Sequence, residues 1–351
     1  MNIQELLAET ARLDASDLHI IAGFPPTLRI VDKLHPVEGT SVLTPAETES
    51  LILSIVSPSQ KELFLANKEL DFSIGLPQGR FRVNIYHQRG SVAGAFRHIS
   101  STIRSIESLG LPPILYEFTK LRQGFVLVTG PTGEGKSTTL AAMIQHINQT
   151  RGLHVITIED PIEYMYPAGL SLISQREMHE DSHSWAVALR SVLREDPDVV
   201  LVGEMRDYET IAAALTVAET GHLVFATLHT NSASQTVDRI IDVFPEGQQQ
   251  QIRFQLANTL EGVVSQRLVP ALSGGRIAVC EVMTGIPAVR SIIRDGKTNQ
   301  LDNVILTSSE FSMMTLEMSL AKAVMEGKIS IDVASSYAIR PEDLGKMIKR
   351  I

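Results

Sequence analysis

The sequence predicts an α/β protein, in which a P-loop domain built on a parallel sheet follows a small α+β domain. From residue 116 onward, short apolar runs alternate with helical patterns, which is typical of a parallel sheet covered by helices on both faces. Before residue 100, helices and hairpin-like strands occur without that alternation. A length of 351 residues suits two domains, because single hydrophobic cores usually stop growing before about 250–300 residues.

The first 100 residues have the pattern of a small α+β domain. Thr44-Pro45-Ala46-Glu47 forms a capping box with proline at the first helical position, which predicts a helix start. The predicted elements are a helix at 2–13, β-like runs at 18–21 and 27–31, helices at 44–56 and 58–66, and hairpin-like strands at 79–87 and 91–99. Residues 101–115 lose the strand pattern and contain Gly110 and Pro112-Pro113, so we expect an interdomain linker there.

Residues 116–351 are predicted to form the P-loop domain, ending in a helical tail from about Ser312. Its predicted strands are 125–128, 153–158, 199–202, 223–227 and 276–283. Its predicted helices are about 136–149, 184–195, 207–219 and 247–266.

Composition excludes several classes of protein. The net charge of -9 and the pI near 5.6 argue against a generally basic surface, so no nucleic-acid partner is expected. The single cysteine, Cys280, excludes a disulfide framework and a Cys₄ zinc site within one chain. The acidic amphipathic N-terminus lacks the pattern of a signal peptide, and no apolar stretch approaches the ~18 residues that cross a bilayer. We therefore expect a cytoplasmic protein, which could still dock on a membrane complex.

A complete P-loop pattern follows the predicted strand 125–128: Gly130-x-x-x-x-Gly135-Lys136-Ser137. Glycines let backbone N–H groups turn toward phosphate oxygens, and the following helix directs its positive N-terminus at them. The lysine can reach the β- and γ-phosphates, and the serine hydroxyl can ligate Mg²⁺. The full spacing disfavours a coincidental glycine-rich turn. The predicted nucleoside triphosphate site consists of Gly130, Pro131, Thr132, Gly133, Glu134, Gly135, Lys136, Ser137 and Thr138.

Carboxylates follow two of the other predicted strands. Glu159, Asp160 and Glu163 follow 153–158, at the carboxyl end of a strand, where ligand sites of open α/β sheets occur. Val199-Val200-Leu201-Val202-Gly203-Glu204 resembles a Walker B strand, but glycine stands where aspartate is usual. We expect Glu204 to serve the Mg²⁺ and water shell. The sequence leaves open whether Glu204 or Glu163 is the general base.

A histidine stands at each end of the predicted strand 223–227. His229, at the carboxyl end, is suited to sensing the γ-phosphate, whereas His222 fits a structural or subunit-contact role. The arginine-finger candidates are Arg82, Arg97, Arg190 and Arg194. Any one of these arginines, considered alone, is more often a surface ion pair.

Four segments together resemble the nucleotide motifs of the secretion ATPases, in the family's order: Walker A (130–138), Asp box (158–163), Walker B (193–207) and His box (220–233). The similarity covers almost the whole chain and is greatest to the type IV pilus retraction ATPases, the PilT type. Ala288-Val289-Arg290-Ser291-Ile292-Ile293-Arg294-Asp295 resembles their C-terminal motif. A short N-terminal region without a cysteine-rich zinc insertion argues against extension and type II secretion ATPases.

The resemblance implies a PAS-like N-terminal domain, a RecA-like ATPase domain and a ring-shaped homohexamer that binds ATP and Mg²⁺. Such a motor acts on an inner-membrane platform protein, so that pilin subunits return from the pilus base into the membrane. It implies phosphate and Mg²⁺ binding by Lys136 and Ser137, hydrolysis by Glu163 and Glu204, and phosphate sensing by His229. It also implies that Arg82 and Arg97 reach the nucleotide when the N-terminal domain closes.

The sequence departs from the family at Glu134, where serine is usual, and mildly at Ser291 and Asp295 in the C-terminal motif. A Glu134 side chain that faces solvent has little effect, whereas one that faces the phosphates weakens nucleotide binding. Alternatives to a retraction motor are an assembly or type II secretion ATPase, and a weakly hydrolysing accessory subunit beside a more active paralogue. A nucleic-acid translocase is disfavoured by the acidic charge.

Overall fold

The computed structural model describes residues 1–31, 33–77, 79–99 and 102–349, which fall into two compact units. The first unit comprises Met1–Thr102 and the short segment Glu163–Pro167; the second comprises Ile103–Ile162 and Ala168–Ile351. The predicted boundary at residues 100 and 101 lies outside the described residues. The predicted linker differs from the structure, because from Ile103 on the chain belongs to the second unit, with Ile106, Leu111 and Leu115 buried.

The first unit is an antiparallel sheet with helices. Its elements are α1 (Ile3–Arg12), β1 (Asp17–Ile21), β2 (Thr27–Ile30), β3 (Lys33–Pro36), α2 (Pro45–Leu53), α3 (Pro58–Asn67), β4 (Glu69–Leu76), β5 (Gly79–Gln88) and β6 (Ser91–Ile99). The strands lie in the order β3-β2-β1-β6-β5-β4, and each neighbouring pair is antiparallel. The predicted capping box is present at α2, where Thr44 and Glu47 each accept a backbone N–H of the other.

One face of this sheet supplies the core of the first unit. Phe81, Val83 and Ile85 of β5 are fully buried, and they alternate with residues that face away, as expected for a half-buried strand. They pack with Phe96 and with Leu6 of α1. Strands β3 and β4 were not predicted; β3 is exposed along its whole length, so it lacks the apolar alternation of a half-buried strand.

The second unit alternates helices and strands. Its elements are α4 (Ile114–Lys120), β7 (Gly124–Thr129), α5 (Lys136–Thr150), β8 (His154–Glu159), β9 (Leu172–Glu177), α6 (Trp185–Val192), β10 (Val199–Val202), α7 (Tyr208–Glu219), β11 (Leu223–Leu228), α8 (Ala233–Asp242), α9 (Glu246–Thr259), β12 (Leu260–Pro270), β13 (Arg276–Thr284), α10 (Pro287–Arg294), α11 (Leu301–Thr307), α12 (Leu316–Met325), α13 (Ile331–Tyr337) and α14 (Pro341–Lys349).

The sheet of the second unit has the order β13-β12-β7-β11-β10-β8-β9. Its neighbouring strands from β12 to β9 are parallel, and β13 pairs antiparallel with β12 at the edge. Strands β7, β10 and β11 are buried along their whole length, since helices cover both faces. The expected α/β fold with a parallel sheet is confirmed.

One predicted helix is wrong at its carboxyl end. We predicted a helix at 247–266, but α9 ends at Thr259 and β12 begins at Leu260. The chain changes state beside Gly262, where an added Cβ would lie 2.2 Å from the ring of Phe118. Glycine is a poor helix former, and in a strand it allows the close approach of another side chain. Strand β9 and helix α8 were also not predicted.

The order and direction of the strands bring the predicted nucleotide motifs to one edge of the sheet. The carboxyl ends of β7, β8, β10 and β11 lie at one edge of the sheet, because these strands are parallel neighbours. The Walker A and Asp box segments begin at the ends of β7 and β8, and the Walker B and His box segments run through β10 and β11 past their carboxyl ends, as expected for ligand sites of open α/β sheets. In the described residues, no helix is both long and apolar enough to pass through a bilayer.

Candidate nucleotide site

The loop between β7 and α5 is shaped by its glycines. Gly130 has φ 146°, and a Cβ there would lie 2.5 Å from the carbonyl oxygen of Gln266. Gly133 and Gly135 also have positive φ, of 82° and 79°. Gly135 is the N-cap of α5 and no side chain caps the helix, so the first N–H groups of α5 point into the loop. The loop therefore has the donors and the helix end that suit an anion.

Lys136 supplies a buried positive charge to this loop. Its side chain lies inside the loop, where Nζ donates hydrogen bonds to the carbonyl oxygens of Gly130 and Pro131, each at 2.9 Å. These two carbonyl oxygens hold the ammonium group beside the backbone N–H groups of the loop, which suit phosphate. Ser137 follows in the first turn of α5, where a P-loop serine offers its hydroxyl to a metal ion.

Glu204 lies directly beyond the carboxyl end of β10. The glycine before it packs closely against the end of β8, because a Cβ at Gly203 would lie 3.1 Å from the carbonyl oxygen of Ile158. Glycine at the usual aspartate position of a Walker B strand suits this tight contact. The carboxylate that follows, Glu204, is therefore the acid that this strand presents at the edge of the sheet.

The Arg206 guanidinium and the His229 imidazole hold the Glu204 carboxylate. Its Oε1 atom accepts a hydrogen bond of 2.6 Å from Nε of Arg206 and lies 3.2 Å from Nε2 of His229. Burial opposes the charged form of the acid, but the hydrogen bond and charge of Arg206, together with His229, outweigh it and lower the pKa of Glu204. Glu204 is therefore held as a carboxylate.

His229 connects this carboxylate to the P-loop. Its Nδ1 atom lies 3.5 Å from the hydroxyl oxygen of Thr132. With Nε2 donating to Glu204, Nδ1 is the acceptor for the Thr132 hydroxyl. One imidazole ring therefore contacts the acid after β10 and the loop after β7.

The carboxylates after β8 have different surroundings. Glu159 is buried and accepts hydrogen bonds from the Thr157 hydroxyl at 2.6 Å and from Gln175 at 3.3 Å. Asp160 lies 3.9 Å from Nε2 of His179. Glu163 is exposed and falls in the segment grouped with the first unit, so its role remains a sequence-based prediction.

The arginine candidates lie on two units. In the first unit, Arg82 of β5 and Arg97 of β6 are directly opposite each other in the sheet register. Nε of Arg97 donates to Asp17 at 3.0 Å, and Nε of Arg82 lies 4.0 Å from Asp71. Both side chains are about half exposed or more, at 70% for Arg97 and 48% for Arg82.

In the second unit, Nε of Arg190 donates to the carbonyl oxygen of Ala186, and Arg194 is exposed. His222 lies at the amino end of β11, where its Nδ1 atom is 3.1 Å from both the Thr220 hydroxyl and the Val217 carbonyl oxygen. These contacts stay within the end of α7 and the turn before β11, at the opposite end of the strand from His229.

Comparison with known proteins gives the family. A family model described as type II/IV secretion system protein matches residues 113–276. The type IV pilus retraction ATPase PilT of Pseudomonas aeruginosa is 45% identical over 344 residues, which cover 98% of this chain and 100% of that protein. The twitching motility protein of Neisseria gonorrhoeae is 47% identical over 326 residues, which cover 92% of this chain and 87% of that protein. This chain belongs to the family of type IV pilus retraction ATPases.

A solved structure agrees with this assignment. The crystal structure of the pilus retraction motor PilT with bound ADP has a TM-score of 0.91 and 43% identity, covering 99% of each chain. The expected architecture, an ATPase core preceded by an N-terminal domain, is therefore that of a retraction ATPase.

The C-terminal motif of this retraction ATPase forms α10. Val289 and Ile293 are buried, whereas Ser291, Arg294 and Asp295 are exposed. Arg290 donates to the carbonyl oxygens of Ala257 and Asn258 at 3.1 and 2.6 Å, and to the Glu261 carboxylate at 2.7 Å. A guanidinium there satisfies carbonyl groups at the end of α9. This arginine of the motif thus joins α10 to the end of α9.

Sequence reasoning missed several contacts of the site. Arg206, the partner of Glu204, stands in the Walker B segment, but nothing in its spacing showed where its side chain points. Gln266 and Leu268 of β12 contact the P-loop at Glu134, and the wrongly predicted helix at 247–266 concealed them. The sequence leaves open whether the Glu134 side chain faces solvent or the phosphates. Instead, its carboxylate faces β12 and accepts a hydrogen bond from the backbone N–H of Leu268.

Proposed function

We propose that the chain is a subunit of a hexameric, ATP-hydrolysing motor that powers type IV pilus retraction and hence twitching motility. The observation that carries this proposal is the connection Glu204–His229–Thr132, at 3.2 and 3.5 Å, beside a P-loop that buries Lys136. The full-length similarity to PilT, a retraction ATPase, supports the direction of the work done.

Binding of the nucleotide rests on the P-loop. The N–H groups of 130–138 and the first turn of α5 bind phosphate oxygens, and the ammonium of Lys136 neutralises their charge. Ser137 and Glu204 would hold Mg²⁺ with the nucleotide, and the ion would supply positive charge that stabilises the phosphate oxygens. The donor set fits it, because hydroxyl and carboxylate oxygens are the ligands that Mg²⁺ prefers.

Hydrolysis uses the carboxylate after β10. A lowered pKa keeps Glu204 ionised, which suits an acceptor that orients the attacking water by its proton. Glu163 is the other candidate for this role, as the sequence predicts. His229 senses the phosphate, because a change at Thr132 in the P-loop reaches Glu204 through a single ring.

The assembly and its partners follow from the family. A homohexamer brings Arg82 and Arg97 of the N-terminal domain to the nucleotide when that domain closes, and such closure often limits turnover. The ring works on the cytoplasmic side, docked on the inner-membrane pilus platform protein. A paralogous retraction ATPase is a further partner, and no nucleic acid is involved.

Measured ATP turnover tests the enzymatic part of the proposal. The wild-type protein is compared with Lys136→Ala and Glu204→Gln, and ADP binding to each is measured separately. We expect Glu204→Gln to bind ADP yet lose about 10²–10⁴-fold in kcat, the usual contribution of a positioned acid or base. A wild-type rate no higher than that of the variants would instead indicate an accessory subunit that hydrolyses little.

Deleting the gene tests the direction of the work. We expect surplus, non-retracting pili and loss of twitching motility, both restored by the wild-type gene and by neither variant. Loss of pili would contradict retraction and indicate an assembly ATPase. Normal pili with impaired secretion of a folded protein would indicate a type II secretion ATPase.

A further inference from the structure

Strand β12 extends beyond the strand beside it. It pairs with β7 from Leu260 to Ser265, and β7 ends at Thr129, where the chain turns at Gly130 into the P-loop. On its other side, β12 continues to pair with β13 as far as Pro270. The last five residues of β12, from Gln266 to Pro270, therefore lie beside the P-loop, in the position where a longer β7 would have supplied backbone partners.

Three hydrogen bonds join the P-loop and α5 to this part of β12. The Gln266 side chain donates from Nε2 to the carbonyl oxygen of Glu134 at 2.6 Å, and its Oε1 accepts from the Thr139 hydroxyl at 2.7 Å. The Glu134 carboxylate accepts from the backbone N–H of Leu268. Gln266 is only 2% exposed and its bond with Thr139 is buried, whereas the two bonds that involve Glu134 are part-buried.

The contact with Leu268 depends on the length and chemistry of the Glu134 side chain. Leu268 lies past the last residue that pairs with β7, so its part-buried N–H has no partner on β7 and takes its acceptor from the P-loop. Two methylene groups carry the Glu134 carboxylate across to it. Serine, which the family usually has at this position, has a single carbon before its oxygen and cannot span that gap.

The charge of Glu134 is also engaged on the β12 side. Burial lowers the pKa of Arg267, and the attraction of the Glu134 carboxylate opposes this by a smaller amount. Arg267 in turn donates to the Asn231 side chain at 2.9 Å. The negative charge of Glu134 is therefore balanced by the backbone N–H of Leu268 and by the guanidinium of Arg267, both on β12.

We propose that Glu134 is a positioning residue of the nucleotide site: its carboxylate anchors the P-loop to the Leu268 N–H, and this anchor strengthens phosphate binding. It acts through the loop N–H groups, which it holds in the geometry that phosphate requires, so that less order has to be gained on binding. The inference rests on the proposed function only in that the loop binds nucleotide phosphates.

This role predicts an effect on binding rather than on chemistry. The loop contacts the phosphates of ATP and ADP alike, so loss of the anchor weakens both complexes. A contact that stabilises ground state and transition state equally changes KM and leaves kcat unchanged. The backbone contact from Gln266 to Glu134 survives any substitution at position 134, so the loss is partial.

The experiment compares Glu134→Ser with Glu134→Gln in the full chain. We expect Glu134→Ser to raise the Kd for ADP and the KM for ATP about tenfold, which corresponds to one charge-assisted hydrogen bond, with kcat within about twofold of wild type. Glu134→Gln retains an oxygen at the same reach, so it should restore both values to within about threefold of wild type.

Two results would overturn the proposal. Unchanged or tighter ADP binding by Glu134→Ser would mean that the carboxylate does not anchor the loop, or that it repels phosphate. Equal weakening in Glu134→Gln and Glu134→Ser would mean that charge alone matters. Glu62→Ser, at an exposed glutamate of α3 in the first unit, is the control for the loss of one charge.

ADP binding separates this inference from the proposed function. A wild-type protein that binds no nucleotide would contradict the proposed function itself. A wild-type protein that binds and hydrolyses nucleotide, with Glu134→Ser indistinguishable from it, would contradict the anchor alone. Thermal unfolding without nucleotide shows whether Glu134→Ser is folded. If it is not, the Glu134→Gln variant decides, because a roughly tenfold rise of its Kd for ADP would overturn the anchor.

Discussion

The Nε2 atom of His229 lies 3.2 Å from Oε1 of Glu204, which joins the carboxyl ends of the neighbouring parallel strands β11 and β10. The same ring places Nδ1 3.5 Å from the Thr132 hydroxyl of the P-loop. Because β11 lies between β10 and β7, a side chain at its end is the shortest route from the acid to the phosphate loop. The strand order places β11 between the acid and the P-loop, and the direction of β11, parallel to its neighbours, puts His229 rather than His222 at the end where they meet.

We therefore expect the two histidines that flank β11, His222 and His229, to differ in function. We expect His229→Ala to lower kcat roughly 100-fold, the usual scale for loss of one positioned polar contact in an active site, with ADP affinity nearly unchanged. His222→Ala removes the same side chain at the other end of the strand and should leave kcat within about twofold. Steady-state ATP hydrolysis measures both, and equal losses in the two variants would contradict the assignment.

Arg206 sets the pH range over which Glu204 is ionised. Burial raises the pKa of Glu204. The hydrogen bond and charge of Arg206, together with His229, outweigh burial, so the net pKa lies below its usual value. Removing the guanidinium in Arg206→Gln lets the pKa of Glu204 rise. In the proposed mechanism the ionised carboxylate of Glu204 orients the attacking water, so we expect the acidic limb of the kcat/KM profile to move to higher pH.

The pH profile of Arg206→Gln has a matched control. Arg12→Gln breaks another arginine–glutamate contact of 2.6 Å, between Arg12 and Glu9 of α1 in the first unit, and should leave the profile in place. If the acidic limb of Arg206→Gln coincides with that of wild type while kcat falls, the arginine acts on the nucleotide rather than on Glu204.

How far the sequence predicts this molecule depends on the range of the interactions involved. Strand β10 was predicted at its observed bounds, Val199–Val202, because a run of buried apolar residues ends at Gly203. The P-loop is equally local, since its glycines and the start of α5 are contiguous. Such features need only short-range information.

Contacts between distant segments were not predictable. The partner of Glu134 is the N–H of Leu268, and nothing in either local pattern specifies that pairing. Helical spacing from Ile252 through Leu256 to Leu260 also extended the predicted helix too far, because periodicity does not show that β12 has a place beside β7. The sequence therefore predicts candidate residues of the site, while the sheet order decides which of them meet.

Arg82 and Arg97 provide a test of the arginine fingers. They are cross-strand neighbours with exposed guanidinium groups in the first unit, so one closing movement would bring both to a nucleotide. We expect each of Arg82→Gln and Arg97→Gln to lower kcat by about 10³-fold or more with ADP affinity retained. Arg89→Gln, at the exposed turn of the same hairpin, is the control. Full activity in both variants would rule out fingers from this sheet.

Glu281 of β13 makes the stability of the second unit depend on pH. Its buried carboxylate accepts the N–H of Ala233 at the start of α8 at 2.7 Å. The pKa of Glu281 is raised from 4.5 to about 6, mainly by burial. The hydrogen bond from Ala233 and the charge of Arg340 lower this pKa, whereas the negative charges of Asp302 and Glu317 raise it. A raised pKa in the folded state contributes stability that is fully present below about pH 4.5 and is lost as the pH rises through about 6.

Glu281→Gln removes this dependence, because the amide stays neutral and its oxygen can still accept the Ala233 N–H. The variant's free energy of unfolding, relative to that of wild type, should be about 1 kcal/mol higher near about pH 8 than near about pH 5. Denaturant titration at both pH values measures this. Exposed Glu310→Gln should change it by less than about 0.5 kcal/mol at either pH. A Glu281→Gln variant that is destabilised equally at both pH values would show that its carboxylate is needed in the charged form.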